Sequence, residues 1–93
     1  MTIINGREDT FKEPSGTALT ALAWILSDSA RAQRFLDLTG LTPEILRETV
    51  GSAATQRAVL DFLCAHEPDL IAAAESLGVE PAVLAGMRDR IGL

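Results

Sequence analysis

From Ala18 onward, apolar residues recur three and four positions apart almost to the C-terminus, the spacing that lays one face of an α-helix against a core. Ala18, Leu22, Ile25 and Leu26 define the inner face of a first helix over residues 17–28. Ser29 can cap a second helix, 30–38, which stops at Gly40, a residue type that readily supplies the left-handed conformation closing many helices. Thr42 followed by Pro43 is a cap plus a first-turn proline, so a third helix runs to about Val50 and ends at Gly51. Ser52 caps a fourth carrying Val59, Leu60, Phe62, Leu63 and Cys64; Glu67 and Pro68 open a fifth that ends at Gly78; Pro81 opens a sixth running toward Ile91. Upstream, MTIINGREDTFKEPSG (residues 1–16) keeps no sustained period and reads as a flexible tail, with Ile3, Ile4 and Phe11 offering at most weak docking.

The plan is written twice. TGLTPEIL at residues 39–46 is answered by LGVEPAVL at 77–84, which pairs Gly40, Pro43 and Leu46 with Gly78, Pro81 and Leu84 at an offset of 38. The same offset pairs Leu22 with Leu60, Trp24 with Phe62, Ile25 with Leu63 and Ser29 with Glu67. The expectation is an all-α, compact six-helix bundle in one domain, residues 17–93, built from pseudo-repeats 17–51 and 52–93. Each unit is too small to bury its apolar face alone, so the two close a common core.

The segments TGLTPEILRE, VLDFL at 59–63 and LGVEP resemble a family of short alphaproteobacterial proteins known only as a domain of unknown function. The resemblance spans roughly residues 17–92 and implies a small all-helical bacterial protein. It brings no catalytic residue, ligand or cofactor with it.

Composition narrows the reading further. A chain of 93 residues with 47% hydrophobic content makes one core and no second domain. Stability of roughly 5 to 10 kcal/mol follows from that size. A formal charge of −5 and a single lysine, Lys12, turn the chain away from polyphosphates, whose binding depends on many basic side chains. One cysteine, Cys64, cannot form an internal disulfide, so the expected compartment is the cytoplasm. The apolar run from Ala18 to Leu26 precedes an A-x-A pattern at Ala30 and Ala32, but the upstream charges Arg7, Glu8, Asp9, Lys12 and Glu13 sum to −1, where an export signal is positive. The run is also short of the roughly 20 residues that span a bilayer, so it reads as a core helix and no membrane is expected.

Candidate chemistry is sparse. Residues 70–88 have helix-turn-helix spacing at Ala74, Gly78 and Leu84, which makes a DNA-associated regulator the second functional reading. Its would-be recognition helix offers Glu80, Ala82, Ala85 and Gly86 where base edges and phosphates call for Arg, Lys, Asn or Gln, so nucleic acid is disfavoured. Cys64 and His66 stand two apart and point about 200° from one another on a helix, so no metal is expected. Ser27, Ser29, Ser52 and Ser76 have no evident base and no glycine-rich phosphate loop occurs, so neither catalysis nor a cofactor is expected.

The aromatics carry more. Phe62 is expected to pack against the neighbouring repeat. Trp24 lies about 140° from the centre of its helix's inner face and is the candidate partner-binding residue, expected to be partly exposed beside a shallow apolar groove. The reading is a cytoplasmic adaptor or regulatory module whose partner is another protein, compatible with either a monomer or a homodimer.

Overall fold

The computed structural model describes residues 14–91, so Ile3, Ile4 and Phe11 and the expectations attached to them lie outside the described residues. Among the described residues there are six α-helices and no strand: α1 (Pro14–Leu26), α2 (Ser29–Thr39), α3 (Pro43–Thr49), α4 (Ala53–Cys64), α5 (Glu67–Leu77) and α6 (Pro81–Gly86), followed by a 3₁₀ turn, Met87–Arg90.

Local chemistry accounts for the ends. The first helix starts at Pro14 rather than Thr17, since proline needs no hydrogen-bond partner for its nitrogen in a first turn. Asp28, not Ser29, caps α2: its backbone is extended (φ −125°, ψ 123°) and its carboxylate accepts the Arg31 amide proton at 2.9 Å. A carboxylate answers both the orphan N–H and the positive end of the helix, whereas Ser29 is already inside the first turn. Thr42 and Ser52 do cap their helices, accepting from Ile45 N at 3.1 Å and Thr55 N at 3.2 Å. Gly40 and Gly78 adopt φ of 76° and 74°, a conformation disfavoured for residues with a Cβ. Closure differs between them. Gly40 N donates to Leu36 O at 2.9 Å, while after α5 Val79 N reaches back to Ala74 O at 3.0 Å and Gly78 N to Glu75 O at 3.2 Å, the fuller Schellman arrangement. The sixth helix stops at Gly86, short of Ile91, and tightens into the 3₁₀ turn.

At the centre of the core lie α1 and α4. Ala18 and Ala21 of α1 and Ala73 and Ala74 of α5 are all buried, and their small side chains let α1 pack on α5 as well as on α4. Val59, Leu60, Phe62 and Leu63 are buried on α4, which touches α1, α5, α6 and the 3₁₀ turn. The second helix is anchored by its one fully buried residue, Phe35, which meets the Phe62 ring edge-on with centroids 5.3 Å apart and an interplanar angle of 90°. Phe62 thus fills the neighbouring-element role its flank position predicts. Leu84, Met87 and Ile91 close the C-terminal side, where Arg57 Nη2 donates to the Ile91 carbonyl.

The third helix stands apart. Leu46 is the one residue of α3 that is buried, and the helix touches its neighbours only sparsely, whereas α6 packs firmly on α5 and α4. Two side-chain bonds from α4 hold its C-terminal end: Thr55 Oγ1 donates to Thr49 Oγ1 at 2.9 Å, and Gln56 Nε2 donates to Val50 O at 3.2 Å.

Candidate functional site

Because α3 does not close down on the bundle, a groove opens between it, α1 and α2. Leu22 and Leu26 of α1 form one wall, Pro43, Leu46 and Val50 another, with Leu36 of α2 between them, and the hollow measures about 400 Å³. Leu22 and Leu26, like Leu46 and Val50, are one helical turn apart, so each pair presents a continuous apolar ridge. Leu26 is 43% exposed, so this surface is open to solvent. Arg47 is the single charged side chain on the lining. Among the described residues nothing hydrogen-bonds or ion-pairs with its guanidinium, including its helix neighbours Glu44 and Glu48.

Trp24 lies elsewhere. Midway in sequence between Leu22 and Leu26, it projects from the opposite side of α1 and lines neither hollow described here. Its indole is half-buried beneath the Arg31 guanidinium, whose central carbon is 3.6 Å from the ring centroid. Arg31 Nη2 also donates to the Trp24 carbonyl and to Ser27 Oγ at 3.0 Å, and Ser27 Oγ donates to the same carbonyl at 2.6 Å. The indole is therefore half of a clamp on the α1–α2 corner, with the buried Arg31 Nε left without a partner among the described residues. Sequence reading missed this clamp; its signal was a basic residue two helical turns after Trp24, beyond the intervening turn.

A second hollow runs between α2 and α4 around Leu38, Thr39, Asp61 and Phe62, with Leu38 71% exposed. On the outer side of Phe62 the Arg34 guanidinium sits 5.1 Å from the ring centroid and ion-pairs with Asp69, while His66 Nδ1 lies 3.1 Å from the same carboxylate. This cluster ties α2 to the start of α5. Among the described residues no three His, Cys, Asp or Glu side chains converge as metal ligands would.

Cys64 is half-buried, and burial pushes its thiol above the ordinary range; Arg88 opposes that rise and Asp61 and Asp89 reinforce it. A raised folded-state value means less thiolate at a given pH, so iodoacetamide should alkylate native Cys64 more slowly than the unfolded chain at the same mildly alkaline pH. The linkage has the matching sign: stability should be fully present below the unfolded thiol's value and fall as pH rises through the folded one. Alkylation rates against pH, native and in urea, check both. Arg88→Ala should slow the native reaction further, and Asp61→Asn should speed it.

The α5–α6 corner has the expected shape: α5 and the segment Pro81–Arg90 meet at 105°, with Ala74 and Leu84 buried and Gly78 left-handed. The exposed positions of α6 are Ala82, Val83 and Gly86, and Arg88 is bonded to Asp61. No single helix among the described residues is long and apolar enough to cross a membrane.

A family model described as protein of unknown function (DUF3572) matches residues 12–92. The chain belongs to the DUF3572 family. Every described helix lies within that match, so the groove and the α5–α6 corner are both parts of the DUF3572 domain. No curated protein and no solved structure matches the chain.

Proposed function

We propose that this DUF3572 domain is a protein-interaction module, a cytoplasmic adaptor or regulatory partner, and that it docks its partner in the groove between α1, α2 and α3. The observation carrying this reading is the groove itself: a concave, aliphatic surface with one charged side chain, the kind of surface that water covers poorly and a partner covers well. The test pairs two variants with one tagged copy in its native cell. Leu26→Asp places a charge on the half-exposed wall and should leave the thermal midpoint nearly unchanged while releasing whatever the unaltered chain retains. An unchanged set of retained proteins would overturn the groove.

Trp24→Ala separates the clamp from the docking surface. Removing a half-buried indole, and with it the stacking contact to the Arg31 guanidinium, should cost roughly 2 kcal/mol, below the 3 to 5 of a fully buried aromatic. Partner retention should persist. Loss of retention with stability intact would return the docking role to Trp24.

Support for the DNA-associated reading comes from the 105° corner alone, because Ala82 and Val83 offer no donor to a base edge. It therefore stands second. We also infer that the halves arose from one three-helix unit. Leu22 and Leu60, Ile25 and Leu63, and Leu46 and Leu84 are buried at matching positions, and Gly40 and Gly78 share one backbone conformation. The looser packing of α3 would then be a later divergence.

A further inference from the structure

We infer that the occupant of the groove is an amphipathic α-helix that brings a carboxylate to Arg47; the inference rests on the groove being the docking surface. The backbone of the occupant decides its conformation. No strand edge exists among the described residues, and the walls are leucine, valine and proline, so an extended segment would press unpaired N–H and C=O groups against apolar side chains. A helix satisfies those groups internally. The two ridges, Leu22 with Leu26 and Leu46 with Val50, also leave between them the kind of furrow that accepts anchors at i, i+3 or i+4, and i+7.

Charge decides the rest. Arg47 lines the groove with its guanidinium unpaired among the described residues, so a wholly apolar occupant that covered it would strip water from a cation and give nothing back. A carboxylate at that point restores the lost hydrogen bonds, two at once in the fork geometry of arginine. The chain's net charge of −5 repels a polyacidic partner, but beyond roughly 8 Å that repulsion is screened in physiological salt. One matched carboxylate on an otherwise apolar helix face fits both facts.

The probe is a panel of labelled amphipathic peptides of about 16 residues with leucine anchors at helical spacing and Glu, Gln or Lys at the position facing Arg47. Binding to the full chain is read by anisotropy and by the methyl resonances of Leu26, Leu36, Leu46 and Val50. The glutamate peptide should shift those methyls, the glutamine peptide should bind about tenfold more weakly, and Arg47→Glu should transfer the preference to the lysine peptide. Equal binding of all three at those methyls would keep the groove as a docking surface and overturn the carboxylate. Absence of any such shift across the panel, or binding unaffected by Leu26→Asp, would overturn the helical occupant and count against the docking reading too. Groove methyls that move when residues 1–13 are removed would assign the groove to the chain's own N-terminal segment. A dimer in sedimentation that Leu26→Asp dissolves would assign it to a second copy, and groove methyls shifted by decanoate when no peptide binds would assign it to a small fatty acid; each overturns the inference.

Discussion

Phe35→Ala should remove about 3 to 5 kcal/mol of stability, at least roughly a third of the 5 to 10 available to a domain of this size. Phe35 is the one residue of α2 that is fully buried, so its ring carries most of the attachment of that helix to the bundle. Truncation would leave a ring-sized void walled by Phe62 and would forfeit the edge-to-face contact, itself worth about 0.5 to 1.5 kcal/mol. Urea denaturation should show a lower midpoint with an unchanged slope. Phe35→Leu should recover more than half the loss by refilling most of the volume. A loss under about 1 kcal/mol for the alanine variant would mean that α2 is held mainly by Asp28, Arg31 and Arg34 rather than by this ring.

Leu84→Ala should cost about 3 to 4 kcal/mol, and Leu46→Ala, its counterpart in the other half of the chain, only about 1 to 2. The side chains are nearly equally buried, at 0% and 7% exposure. Their surroundings differ. Leu84 is enclosed where α6 packs on α5 and α4, so its removal leaves a closed, empty space. Leu46 forms a wall of the groove, so the space it vacates joins an opening that water already reaches, and the cavity contribution shrinks. Equal losses from the two variants would show that α3 is as firmly seated as α6.

The difference in packing between α3 and α6 also marks where sequence reading succeeded and where it stopped. Punctuation was legible because its chemistry is local: Gly40 and Gly78 end helices by accepting a positive φ, and Thr42 and Ser52 start them by accepting an amide proton. The core was legible because the periodicity of Leu22, Ile25, Leu60 and Leu63 reports burial, but Leu26, expected on the same inner face as Leu22 and Ile25, is left 43% exposed because α3 does not close over it. The start at Pro14 escaped because it extends a helix upstream of the apolar period by which its face was recognised. Asp28 and Ser29 are adjacent cap formers, and only backbone geometry separates them. The groove escaped because it is a failure of two elements to meet. The Arg31 cover on Trp24 depends on the angle of the α1–α2 corner, which no helical period encodes.

The loose seating of α3 governs how the domain breathes. Leu46 and the two bonds from Thr55 and Gln56 are what the helix must give up to lift away, while α1, α4 and α5 can remain packed. Its amides should therefore exchange with deuterated solvent through a local opening of lower free energy than global unfolding, ahead of those of α4. Any molecule seated in the groove would have to bridge α3 to α1, and would slow exchange across residues 43–49 before it changed anything in the core. Deuterium uptake in that one helix would thus report occupancy of the groove whatever the chemical identity of the occupant.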